Sequence, residues 1–228
     1  KREGKMTSIK VPIIENILEA NDFVAEENRK IFSEHNIFCI NIMAAPGAGK
    51  TALIVKTIEL LKDKIRIGVI EGDTASVTID SDQVVMAGAP AVQVTTAGEC
   101  HMDAMMVRKG MEQLPLDDLD LVIIENIGNL ICPAEWDLGS HADALVASVA
   151  EGDDKPWKYP NIYRNLDVLL ITKTDLIPYV DYDIDHFKSG VEILNPGLVT
   201  FPTSAKTGDG FPAWTEWLSK KTKAAAEK

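Results

Sequence analysis

A chain of 228 residues, 46% hydrophobic and 25% charged, has the size and composition of one α/β domain with its own core and extra terminal helices. Its net charge of −12 opposes phosphate backbones and anionic lipid, so nucleic-acid and membrane binding are not expected, although a local nest of backbone N–H groups could still hold a nucleotide. The three dispersed cysteines form no disulfide framework and suit a reducing cytoplasm; no apolar run reaches the roughly 18 residues of a membrane span; and no apolar segment follows the basic start KREGKMTSIK to make a signal peptide.

Residues 12–34 carry Ile13, Ile14, Ile17, Leu18, Val24, Ile31 and Phe32 at broadly helical spacing, so one or two helices are expected in an N-terminal extension over 1–34. The main domain is expected over 35–222, with a short tail at 223–228. Apolar, β-branched runs then recur at 37–43, 65–70, 91–96, 121–125, 144–149, 167–172 and 198–202. Helical patterns separate most of them, at 51–62, 80–88, 102–113, 184–194 and 211–222. Strands alternating with helices predict an α/β fold: a mostly parallel sheet with helices on both faces and ligands at the carboxyl ends of the strands. The segment 151–161, EGDDKPWKYPN, is expected to be a polar, proline-bearing loop.

The first strand runs into Ala44-Ala45-Pro46-Gly47-Ala48-Gly49-Lys50-Thr51, a P-loop pattern with alanine in place of its first glycine. Gly47, Ala48 and Gly49 would let the backbone N–H groups wrap a phosphate. Lys50 would reach the β- and γ-phosphates, and Thr51 would open a helix whose N-terminus favours anions and whose hydroxyl could ligate Mg²⁺. Two later strands end in acids, Asp73 in VIEGD and Glu125 in LVIIENIGN, and Asp80 lies in the loop after the first of these. Such carboxylates can hold Mg²⁺ or orient an attacking water, or can simply be solvated or cap a helix.

Thr172-Lys173-Thr174-Asp175 at a later strand end matches a guanine-reading element in which Asp175 would accept from the base and the stem of Lys173 would pack along it. Thr172 stands where Asn is most usual. Ser204 and Ala205, in TSAKTGDG, would form the loop that supports the base. These elements, in order after a P-loop, point to GTP rather than ATP.

In GECHMDA, Cys100 and His101 are adjacent, and Cys132 lies just past Glu125. Cys39 falls inside a strand and is expected in the core. A nucleophilic Cys100 would need a base aimed at its sulfur, which an adjacent residue rarely supplies. As metal ligands, Cys100 and His101 would sit at a loop-to-helix junction where a helix N-terminus stabilises a thiolate. With Cys132 they make a Cys₂His set suited to Zn²⁺ or Ni²⁺, one ligand short of a closed tetrahedral site.

The segments NIMAAPGAGKT, VIEGD, GECHMDAMMV, IIENIGNLICPAEWDLG, EGDDKPWKYP and ITKTDLIPY together closely resemble the hydrogenase nickel-incorporation GTPases, the HypB family, through about residues 35–218. The resemblance implies a P-loop GTPase that forms a nucleotide-dependent homodimer in the cytoplasm and turns over GTP to GDP slowly. It implies nickel or zinc at Cys100, His101 and Cys132 near the dimer interface, and hand-over of nickel to the [NiFe]-hydrogenase large subunit alongside other nickel-insertion factors. It also makes Lys155 the counterpart of a lysine that reaches toward the partner's nucleotide. Residues 1–34 carry neither a cysteine-rich nickel motif nor a histidine run. Three rivals stand beside this reading: a urease-type nickel accessory GTPase, a nucleotide-clamped metal-binding dimer without turnover, and a small-molecule kinase.

Overall fold

The computed structural model describes residues 17–76 and 78–227. All seven expected strands form: β1 (Phe38–Ala44), β2 (Ile67–Asp73), β3 (Ala91–Thr95), β4 (Leu121–Gly128), β5 (Ala142–Ser148), β6 (Val168–Thr172) and β7 (Val199–Pro202). They make one sheet in the order β3-β2-β4-β1-β5-β6-β7, and every pairing is parallel. The central strands β1, β4, β5 and β6 are buried almost throughout, which is why they read as unbroken apolar runs.

Helices cover both faces: α1 (Ile17–Glu34), α2 (Lys50–Leu61), α3 (Ile79–Ala87), α4 (Ala104–Met111), α5 (Lys155–Lys158), α6 (Pro160–Arg164), α7 (Ile184–Leu194) and α8 (Phe211–Ala226). One core lies between the sheet and α2, α3 and α8, around Ile40, Ile54, Ile58, Ile123 and Trp214. On the opposite face, α1 and α4 close a second core with Phe32, Val107, Val122 and Ile124, and α6 and α7 close a third with Tyr163, Leu169 and Phe187. Among the described residues no helix is long and apolar enough to cross a membrane.

Four details depart from expectation. Strand β4 runs to Gly128, three residues past Glu125: Glu125 and Asn126 break the apolar run, and the strand continues across a register irregularity that brings Gly128 opposite Ala44. The segment 151–161 is not an open loop: Pro156 and Pro160 occupy the first turns of α5 and α6, where a missing N–H costs nothing. Helix α8 runs to Ala226, past the expected boundary at residue 222. In α1, Leu18 and Phe23 are exposed while Asn21, Ala25, Asn28 and Phe32 form the buried stripe. Ile13, Ile14 and the N-terminal segment KREGKMTSIK lie outside the described residues.

Candidate nucleotide and metal site

The chain leaves β1 at Ala44 and re-enters a helix at Lys50, and Gly47 (φ 74°) and Gly49 (φ 101°) take the left-handed conformations that this sharp wrap requires. Gly49 precedes α2 with no side-chain cap, so the N–H groups of the first helical turn stay available to an anion. Gly128 closes the other wall: a Cβ there would lie 2.9 Å from Pro46 Cα, so a side chain would displace the loop backbone.

The strand end expected to recognise the base is tied to the same loop. The Thr172 hydroxyl donates to the Ala48 carbonyl at 2.7 Å, and Lys173 Nζ donates to the Gly47 carbonyl at 2.7 Å. Threonine in the position where asparagine is most usual therefore has a hydrogen-bonding task in the P-loop. The ammonium of Lys173, whose stem was expected along the base, rests on the loop itself, and the residue sits at φ 59° to reach it. Asp175 accepts from the Ser204 hydroxyl at 2.6 Å, so the two pieces expected to read guanine meet, with Ala205 exposed beside them. Lys155 opens α5 with its ammonium 3.8 Å from Asp154. Glu151, whose pKa burial raises, also feels Lys155, Lys173 and Lys50, which puts Lys155 in the electrostatic neighbourhood of the P-loop.

The expected carboxylates converge on a cleft of about 310 Å³ lined by Lys50, Glu71, Asp73, Asp80, Glu125 and Gly128. Asp73 ends β2 and accepts from the Ala75 N–H, while Asp80 sits in the first turn of α3. Glu125 accepts from the Thr51 hydroxyl at 2.8 Å through Oε1; its Oε2 is buried without a partner. Burial pushes the Glu125 carboxyl up to about 7, against the pull of Lys50 and of Thr51. Glu71, its register partner on β2, is buried, accepts from the Ser81 hydroxyl and is also raised, chiefly by burial. Sequence reasoning passed over Glu71. Its signal was a glutamate inside an apolar strand two positions before Asp73.

On the opposite side of β4, Cys100, His101 and Cys132 bring one ligand atom each within 4.8 Å of one another. Cys100 Sγ lies 2.9 Å from Cys132 Sγ and 3.8 Å from His101 Nδ1. The helix-end effect expected at Cys100 is absent. Helix α4 starts at Ala104 under an Asp103 cap, and the Cys100 thiol is raised rather than lowered, first by its hydrogen bond to Cys132 and then by desolvation. A Cys100 thiol that donates to Cys132 must give up its proton when a cation binds the sulfur.

Three further residues, each unremarked in the sequence, hold this cluster. The Trp136 indole stacks on His101 with ring centroids 4.4 Å apart, fixing the imidazole plane. Asn129 donates to the Cys100 carbonyl at 3.2 Å and accepts from the Ile131 N–H, one residue before Cys132. Asn126, fully buried, accepts from the Met102 N–H at 3.3 Å and donates to Asn41 on β1 at 3.2 Å. Polar residues punctuating the apolar β4 run were the signal available for Asn126.

A profile of the CobW/HypB/UreG nucleotide-binding domain matches residues 38–201. The hydrogenase maturation factor HypB of Azotobacter chroococcum mcd 1 is 42% identical over 217 residues, covering 95% of this chain and 71% of that protein. The chain belongs to the HypB family. Solved HypB structures share its fold. The HypB of Archaeoglobus fulgidus is 37% identical, with a TM-score of 0.84 over 90% of this chain and all of the other. The HypB of Helicobacter pylori, crystallised in complex with nickel, is 31% identical, with a TM-score of 0.85 over 90% of this chain and 96% of that one. Membership of the HypB family decides between the two nickel-related families considered for the sequence, and it makes the P-loop that of a GTPase family.

Proposed function

We propose that this chain is a GTP-hydrolysing metallochaperone that binds nickel, or zinc in its place, at Cys100, His101 and Cys132 and delivers nickel during [NiFe]-hydrogenase maturation, acting as a nucleotide-dependent dimer. One observation carries the reading. Glu125 and Asn126 are consecutive on β4: the first bonds the P-loop threonine and the second bonds the backbone beside His101. Successive strand residues face opposite sides, so a shift of β4 that follows the nucleotide must move the metal loop too.

In this reading Lys50 and the N–H groups around Gly47, Ala48 and Gly49 bind the phosphates. Asp175, braced by Ser204 beside Ala205, reads guanine, and Lys173 holds the loop in shape. The orphan Oε2 of Glu125 next to the Thr51 hydroxyl fits a divalent cation, with Asp73 and Asp80 completing the oxygen set. Mg²⁺ bound there would neutralise charge developing on the transferred phosphoryl group. Asp73 and Glu125 would orient the attacking water, and Lys155 would act toward the partner's nucleotide across the dimer.

Nickel is cargo. Three ligands leave a position for water or for a partner's donor, which keeps the site exchangeable. The H. pylori relative crystallised with nickel supports that choice of metal. The test is Ni²⁺ and Zn²⁺ affinity measured with GDP and with a non-hydrolysable GTP analogue; equal affinities would sink the coupling. Retention of stoichiometric metal in both Cys100→Ala and Cys132→Ala would sink the site. Absence of GTP turnover in the metal-loaded dimer would favour the rival in which nucleotide is only a clamp.

A further inference from the structure

Helix α1 precedes the segment matched by the family profile, and its buried stripe is half amide: Asn21 and Asn28 alternate with Ala25 and Phe32. A helix recruited only for apolar packing would not bury two asparagines while leaving Phe23 68% exposed. Both amides are bonded through nitrogen and oxygen. Asn21 Nδ2 donates to the Asp137 carbonyl at 2.8 Å, and its Oδ1 accepts from the Ala104 N–H at 2.9 Å. Asn28 Nδ2 donates to the carbonyls of Ala104 at 2.7 Å and Leu138 at 3.1 Å, and its Oδ1 accepts from Arg108 at 2.7 Å. Arg29 donates through Nη2 to both carboxylate oxygens of Asp137 and through Nε to the Ser140 carbonyl.

These partners fall on two segments only. One is α4, from Ala104, three residues after His101, to Arg108 in its last turn; the other is 137–140, which follows Cys132. The two come from different strand connections, and each asparagine grips both. Gly139 permits the approach: at φ 84° its Cβ would lie 2.3 Å from the Ala25 carbonyl oxygen.

We infer that α1 is a positioning clamp for the metal site: Asn21 and Asn28 hold the Cys100–His101 loop and the Cys132 segment at the separation that lets three ligands converge. This rests on the reading of those three residues as nickel ligands. Groups that orient metal ligands typically contribute about tenfold or more to affinity.

The test uses the full chain and Asn21→Ala, Asn28→Ala, Cys100→Ala and Val191→Ala, the last a core truncation in α7 that alters neither a proposed ligand nor a proposed nucleotide-binding residue. Ni²⁺ affinity is read by chelator competition, the thiolate-to-nickel charge-transfer band by absorption, and GDP affinity by calorimetry. The expected result is about tenfold weaker Ni²⁺ binding with a shifted or weakened band in both asparagine variants, GDP affinity unchanged, and no effect on Ni²⁺ in Val191→Ala. Wild-type Ni²⁺ affinity and band in Asn21→Ala and Asn28→Ala would overturn the clamp, as would an equal loss in Val191→Ala, which would reduce the effect to general destabilisation. If Asn28→Ala fails to fold, Asn21→Ala, at the end of the stripe, decides alone. Full Ni²⁺ binding by Cys100→Ala would instead refute the ligand assignment, an outcome separate from failure of the clamp.

Discussion

Glu125→Gln isolates the energetic state of the nucleotide site before anything binds. In the metal- and nucleotide-free protein the Glu125 carboxyl is raised from 4.5 to about 7, with burial the leading cause and Oε2 lacking a partner. A carboxyl raised in the folded state stabilises the fold below its unfolded pKa and loses that contribution as pH climbs through its folded pKa. At about 1.4 kcal/mol per pH unit, the full swing is roughly 3 kcal/mol between pH 4.5 and 8. Glutamine keeps an oxygen for the Thr51 hydroxyl and never ionises, so the variant lacks this slope. Urea unfolding of both proteins in chelator at pH 5, 6, 7 and 8 reads it, because every other titrating group largely cancels in the difference. Wild type should lose stability relative to Glu125→Gln by a few kcal/mol over this range. Adding Mg²⁺ and GDP should flatten the wild-type curve, since a cation favours the ionised carboxylate. A stability difference constant with pH would refute the argument that Glu125 is buried against its charge.

Lys50→Ala should lose GTP affinity while its apo melting curve stays near that of wild type, since the side chain is half-exposed at the head of α2; intact affinity by calorimetry would remove Lys50 from phosphate binding. Gly128→Ala places a Cβ against Pro46 backbone atoms, so the loop must move, and nucleotide binding should weaken by about 1–3 kcal/mol; wild-type GDP affinity would show that the contact is slack. Thr172→Val removes the hydroxyl that the Ala48 carbonyl accepts from inside the core and should cost about 1–3 kcal/mol in chemical denaturation, together with weaker GDP binding. A neutral Thr172→Val would mean the loop holds its shape through Lys173 alone.

The strands were legible because parallel strands buried on both faces carry the same signal along their whole length, and the P-loop was legible because its glycines and lysine serve one purpose at fixed spacing. Helices α5 and α6 were not: at four and five residues neither spans enough turns to show a period, and their prolines read as breakers although they occupy first-turn positions. The buried face of α1 was misread for a different reason. Periodicity seeks apolar residues, and this face is defined by amides whose value lies in partners 76 to 116 positions away. The convergence of Cys100, His101 and Cys132 could be expected, and Asn126 left a signal as a polar residue in an apolar strand, but Asn129 and Trp136 left none, because a distant backbone carbonyl and a stacked ring are marked by no local pattern.

The same fact bears on how two sites can communicate in so small a protein. Glu125 faces the α2 side of the sheet and Asn126 the α1 and α4 side, and β4 deviates from regular pairing there, since Ile42 pairs with Glu125 but Ala44 with Gly128. A bulge beside a functional site re-aims side chains and leaves the backbone less firmly held by its neighbour. This irregular stretch of β4 and the residue just past it reach both loops: Glu125 bonds Thr51, Asn126 accepts from the Met102 N–H, and Asn129, which follows the strand, donates to the Cys100 carbonyl. Helix α1, in contrast, bonds the far ends of both metal-bearing segments, and among the described residues none of its side-chain hydrogen bonds reaches the P-loop. Under the proposed function, a change at the nucleotide would displace the near ends of those segments while their far ends stay clamped. That combination would alter ligand separation rather than carry the whole cluster along, which is the geometry a metal-releasing device needs.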